Sequence, residues 1–201
     1  MTESPSEAPA ASAATGIAER YGEMVGALST SGDFATPRIR VSPESWVDIH
    51  RTLKAHLPFF SFLSAIHWSR EVAVGDPPEE EVEERYEVFT RLADVSRGEG
   101  VIISTDISKD DPRLPTLIEV FGGANWHERE AHEMFGIVFE GHPNLVHLYL
   151  PDGFEGHPLR KTFPLLSREV KPWPGTVDVE DMPSTENPEA GDDMAEEGEG
   201  E

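Results

Sequence analysis

A length of 201 residues provides one domain of ordinary size with tails, so a two-domain enzyme is not expected. Net charge is −23, from 39 acidic against 16 basic residues, which repels phosphates and excludes direct binding to nucleic acid or to anionic lipid headgroups. With no cysteine the chain has no disulfide, thiolate zinc site or cysteine-ligated cluster, and with no run of ~18 apolar residues and no apolar leader a soluble, unprocessed chain is expected.

Residues 1–16 are Ala, Ser, Pro, Thr and Glu with no large apolar residue after Met1, a composition expected to remain a disordered arm. Ile17, Tyr21, Met24, Val25 and Leu28 then recur at helical spacing, closed by Gly32 and Asp33. Arg38-Ile39-Arg40-Val41 alternates as a strand does. Ser42-Pro43 reads as N-cap and first residue of a helix whose Trp46, Ile49, Leu53 and Leu57 share a face, with Pro58 ending it. The apolar run Phe59 to Trp68 suits a central strand, although periodicity alone does not separate it from a buried helix.

Asp76 to Glu84 combines a Pro-Pro pair with clustered carboxylates and reads as an exposed connector. Tyr86, Val88, Thr90 and Leu92 alternate with charged or polar residues, Gly98 and Gly100 turn the chain, and Val101 to Ile107 returns as the hairpin partner. Pro115 is expected to open a short helical stretch to Phe121, Gly122-Gly123 to break it, and Asn125 to cap a second helix ending at Phe135.

This order predicts an α+β fold: a two-layer sandwich of a mixed β-sheet with helices on one face, followed by an extended C-terminal arm. The expected boundaries are a disordered arm over 1–16, the α+β domain over 17–140, a Pro-rich partner-binding arm over 141–176, and an acidic disordered tail over 177–201. That tail holds 11 carboxylates and no Lys or Arg, leaving 12 of the 23 negative charges on residues 1–176.

The densest ionisable cluster is His127-Glu128-Arg129-Glu130-Ala131-His132-Glu133. It is one residue too long for the zinc-hydrolase pattern His-Glu-x-x-His, because histidines five apart stand roughly 140° apart around a helix. The alternative is structural: Glu128 with His132 and Arg129 with Glu133 are i, i+4 pairs, beside an apolar edge of Trp126, Met134 and Phe135 that a partner could bury. Gly-His-Pro occurs twice, at 141–143 and 156–158, and each triplet is read as a turn presenting an imidazole, His142 or His157. Arg160-Lys161 is a basic pair among apolar neighbours, suited to anchoring on carboxylates. No dinucleotide or nucleoside-triphosphate motif is present.

Gly123 to Glu130, then Glu133-Met134-Phe135-Gly136-Ile137-Val138-Phe139-Glu140-Gly141-His142-Pro143, resemble the signature of the complex I 30 kDa subunit family, to which the C-type subunit of bacterial NADH-quinone oxidoreductase belongs. Gly156-His157-Pro158-Leu159-Arg160-Lys161 with Phe163-Pro164-Leu165 resembles its second block, and the resemblance spans roughly residues 40–165. It implies a structural subunit of the peripheral arm of a proton-translocating NADH-quinone oxidoreductase, at the cytoplasmic face of a bacterial membrane without direct insertion. It implies no cofactor in this chain and no catalytic, cofactor-binding or metal-binding residue of its own. FMN, iron–sulfur clusters and quinone are implied in partner subunits, chiefly the 49 kDa-type quinone-site subunit and the one that bears the terminal iron–sulfur cluster. On this reading Trp126, Glu128, Arg129, Glu130, Glu133, Phe135, His142, His157, Arg160 and Lys161 are expected at partner interfaces. Two alternatives stand beside it: the equivalent subunit of a related membrane-bound hydrogenase or dehydrogenase with another electron donor, and a free-standing metal-dependent hydrolase using His127, Glu128 and His132.

Overall fold

A strand buried on one face alternates its side chains, and three long segments here do so: β3 (Phe59–Trp68), β4 (Arg85–Asp94) and β5 (Glu99–Ser108) form an antiparallel meander. In this computed structural model, which describes residues 7–73 and 82–164, two short strands extend it. They are β1 (Ser29–Ser31), antiparallel to β2 (Arg38–Arg40), with β2 in turn parallel to β5. The sheet is therefore mixed, in the order β1-β2-β5-β4-β3. The described residues all fall within the first of two units of the chain, Met1–Leu165, and the connector expected at 76–84 lies outside them up to residue 81.

Register separates the two faces. Ile39, Ile103, Thr90 and Leu63 stand opposite one another on the inner face, and one residue along, Arg38, Ile102, Arg91 and Phe62 line the outer face. Three helices cover only the inner face: α1 (Glu7–Val25), α2 (Trp46–Lys54) and α3 (Ala124–Phe135). Between the layers Trp46, Leu53, Leu57, Ile39, Ile103 and Leu92 are almost wholly excluded from solvent, each such side chain contributing about 1.5–3 kcal/mol of transfer free energy. A separate parallel pair, β6 (Arg113–Pro115) with β7 (Val138–Glu140), closes the region around α3.

Five expectations require correction. The N-terminal arm is helical from Glu7, because alanines 10, 11, 13 and 14 favour helix and small residues let α1 pack against backbone. A Cβ on Gly32 would lie 2.3 Å from Thr15 Oγ1, so large apolar residues were not needed for that contact. The helix ends at Gly26 in the left-handed conformation (φ 65°), before Gly32. Ser42 does not cap α2, since its hydroxyl donates to Glu44 Oε2 (2.6 Å) and a 3-10 turn, Pro43–Ser45, intervenes. Pro115 belongs to β6, not to a helix, because Thr116 N–H is drawn to the Glu140 carbonyl (3.0 Å), leaving a single turn at Leu117–Phe121. Finally, Gly123 and not Asn125 caps α3.

One buried histidine joins the layers. His50 Nδ1–H donates to the Trp46 carbonyl and Nε2 accepts from the Thr90 hydroxyl, each at 2.7 Å, which specifies the neutral ring. Burial drives its pKa down to about 4. The unfolded chain therefore takes up the proton first, and stability present above pH 6.5 is lost as pH falls toward 4, about 2 kcal/mol of it by pH 5. Urea unfolding of wild type and His50→Gln should therefore differ in pH slope between pH 7.5 and 5, the variant gaining about 2 kcal/mol on the wild type as pH falls. An unchanged pH slope in the variant would refute the assignment.

Candidate functional site

The charged cluster lies on α3, and its geometry follows from which side of the helix each residue occupies. Glu128 points inward and is completely buried. Its Oε1 accepts from Leu117 N–H (2.6 Å) and its Oε2 from the Thr116 hydroxyl, pinning the turn after β6 to the helix. Burial outweighs these two bonds and pushes its pKa up to about 7. His132, the expected i+4 partner, instead donates Nδ1–H to the Ile137 carbonyl (2.8 Å).

Arg129 and Glu133 also decline their helical pairing. Both reach outward to the irregular chain that follows β7 and hold five consecutive residues of it. Arg129 donates to the carbonyls of Val146 (3.0 Å) and His147 (2.8 Å), while Glu133 accepts from the N–H groups of Leu148 (2.9 Å), Tyr149 (3.1 Å) and Leu150. A cation and an anion one helical turn apart thus grip the two kinds of peptide group in succession. Burial alone would raise the pKa of Glu133, but the N–H groups of Leu150, Leu148 and Tyr149 together hold it below the ordinary carboxylate range.

The second Gly-His-Pro block closes the C-terminal end of α3. A helix leaves its last carbonyls unpartnered, and here they are taken in order. His157 Nδ1–H donates to the Glu133 carbonyl (2.8 Å), Leu159 N–H to that of Met134 (3.1 Å), and Arg160 Nε to that of Phe135 (2.7 Å). The guanidinium also complements the negative end of the helix dipole and lies over the Tyr86 ring. Gly136 ends the helix at φ 78°, and a Cβ there would lie 2.1 Å from Arg160 Nη2 and 2.6 Å from His157 Nε2. Only glycine fits. Lys161 continues the lashing through its backbone, its N–H donating to His67 Nδ1 (3.0 Å) and its carbonyl accepting from Ala73 N–H (2.8 Å).

The ten expected interface residues therefore divide. Glu128, Glu133 and Phe135 are buried, Phe135 edge-on to Tyr86, and for these three an internal role replaces the expected partner contact. Arg129, His157 and Arg160 spend their polar atoms on the chain's own carbonyls. His142 accepts Asn144 N–H at Nδ1 (3.1 Å), and burial lowers its pKa. Trp126 is 59% exposed beneath the Arg129 guanidinium, Glu130 approaches Tyr149 Oη, and the Lys161 side chain is exposed. Beside them Tyr149 is 63% exposed, with Val146 and Leu159 also outward. Local pattern did not reveal that row, because its direction is set by the clamp and not by periodicity.

The hydrolase alternative loses its geometry. His127 packs on Phe60, Glu128 turns to Thr116 and His132 to Ile137, so the three side chains do not converge. Among the described residues no three or more His, Cys, Asp or Glu are grouped to hold a metal ion, and no helix is long and apolar enough to cross a membrane.

The molecule is thus a one-sided α+β sandwich whose most elaborate polar constellation binds its own backbone. Its kinship is specific. The chain belongs to the family described as respiratory-chain NADH dehydrogenase, 30 kDa subunit, whose family model matches residues 39–169. Over 97 residues it is 41% identical to the NADH-quinone oxidoreductase C/D subunit of Pectobacterium atrosepticum and 42% identical to that of Photorhabdus laumondii. Each match covers 48% of this chain but only 16% of the relative's length. Among solved structures, a trypsin-resistant fragment (1–134) of Nqo5 superposes with a TM-score of 0.51 at 27% identity, covering 64% of this chain and 99% of the fragment. A chain of an archaeal membrane-bound sulfane sulfur reductase shares the fold, with a TM-score of 0.61 at 24% identity over 75% of this chain and 85% of its own.

Proposed function

We propose that this chain is a structural subunit of the hydrophilic arm of an NADH-quinone oxidoreductase, held through partner subunits at the cytoplasmic face of a bacterial membrane. There it braces the quinone-site subunit against the one that bears the terminal iron–sulfur cluster, while FMN, clusters and quinone reside in those partners. The observation that carries this reading is the outward row Trp126, Val146, Tyr149 and Leu159, fixed by the clamp on α3 and by the cap on its end. Large apolar side chains held rigidly in the open are what a buried interface core requires. The name C/D of these relatives, which couples a C with a D portion, supports a D-type neighbour, and the activity in that name supports NADH over another electron donor.

The test is native purification from detergent-solubilised membranes with mass spectrometry of copurifying chains. The wild type should bring down quinone-site and cluster-bearing subunits. Trp126→Ala combined with Tyr149→Ala should lower their recovery at least ~10-fold with thermal unfolding unchanged, since both side chains are exposed. A wild-type chain that emerges alone would defeat the proposal.

A further inference from the structure

The outer face of the sheet is charged at both ends, but only one end is internally satisfied. At the Trp68 end, Arg40 pairs with Asp106 (2.8 Å) and Glu87 (3.4 Å), Arg85 pairs with Asp106 (3.0 Å), and Trp68 Nε1–H donates to Glu87 (3.0 Å). At the other end Arg38 on β2 and Arg91 on β4 flank Ile102 of β5 in one register row, and both are exposed. Neither guanidinium has an ion pair or hydrogen bond among the described residues. Arg91 lies along the sheet over Gly100, where a Cβ would come within 3.3 Å of its Nη2. In a chain with 39 carboxylates against 16 bases, two unpaired arginines in one row of the sheet run against the composition.

Beside them a hollow of about 270 Å³ is lined by Ser31, Asp33, Phe34, Thr36, Arg38 and Ile102. Phe34 projects from its rim with 99% of its surface in solvent. Its backbone is left-handed (φ 52°, ψ 37°), as is that of Ala35 (φ 54°), a conformation that costs a non-glycine residue on the order of 1 kcal/mol or more. Strain that presents a large aromatic ring to water is retained where the ring is to be covered.

We infer that this end of the outer face, Phe34, Arg38, Ile102 and Arg91, is a second docking surface, for an acidic segment of a neighbouring protein. Its occupant carries two carboxylates about 10 Å apart, matching two strand spacings between Arg38 and Arg91, with a large apolar side chain beside the one that meets Arg38 to fill the hollow under Phe34. Asp33 on the rim, itself exposed, discriminates against a second acidic group on that side. This surface is on the opposite side of the sheet from α3, so a subunit using both would be held between two neighbours. The inference rests on the assembly role proposed above.

Photo-cross-linking residues placed one at a time at positions 34, 91 and 126 of the full chain, in cells carrying the native membrane complex, test it. Positions 34 and 91 should cross-link to one peptide of a neighbouring subunit that contains at least two carboxylates and a large apolar residue. Arg38→Glu with Arg91→Glu should lower that yield at least tenfold while cross-linking from 126 persists. Cross-linking from 126 alone, or from 34 and 91 only to lipid, to a second copy or to a peptide without carboxylates, overturns this inference and leaves the assembly role standing. No cross-link from any position, with the chain purifying alone, overturns both.

Discussion

Glu133→Ala should release residues 146–150 from α3 and cost about 2–4 kcal/mol in denaturant unfolding at neutral pH. Three N–H groups lose a charged acceptor together, and charge-assisted bonds contribute more than neutral ones. Limited proteolysis should then cut between residues 145 and 156, where the wild type should resist. Recovery of partner subunits should fall with it, because Val146 and Tyr149 are directed by those bonds. Glu133→Gln keeps one acceptor oxygen and should fall between the two. Acid should mimic the alanine variant: the pKa of Glu133 is depressed, so its contribution is present above the unfolded value near 4.5 and is lost as pH falls below it. A resistant arm in Glu133→Ala would show that the clamp does not hold it.

Glu128 carries the opposite pH dependence and the second large effect. Its folded pKa of about 7 exceeds the unfolded 4.5, so the folded state retains a proton that the unfolded chain releases. Stability is full below 4.5 and declines as pH rises through 7, by roughly 3 kcal/mol in total. Glu128→Gln preserves shape, its carbonyl accepting from Leu117 N–H and its amide facing the Thr116 hydroxyl. It should be more stable than wild type by about 1–3 kcal/mol at pH 8, with the gap closing by pH 5. Glu128→Ala instead strands Leu117 N–H in the interior and leaves a cavity, costing about 2–4 kcal/mol at pH 5 and less as pH rises through 7, where only the wild type loses stability. Urea midpoints for the three proteins across pH 5–8 decide the matter, and a glutamine variant with the wild-type slope would rule the assignment out.

The sheet was legible because its strands announce themselves locally. Phe59 to Trp68 is a strand over its whole length, and the alternation from Tyr86 and from Val101 places both hairpin arms. Elements dependent on distant partners were not legible. Pro115 joins a parallel pair with a strand 25 residues later, and the segment before Ile17 is helical with Thr15 packed on Gly32. The fingerprint from His127 to Lys161 showed its location but not its direction. Helical spacing paired Arg129 with Glu133, whereas each finds better-oriented partners in peptide groups that no periodicity reveals.

The clamp has a consequence for how this family can vary. Arg129 and Glu133 recognise main-chain atoms at 146–150, so the side chains there are free to change while their placement is kept. The donor series ends at Leu150, and Pro151, which has no N–H to give, follows immediately. A proline moved one to three positions earlier would break the grip, whereas other residues should be accepted at 148–150. Frame and lettering are thus separable: the helix reads only the line on which the residues are written.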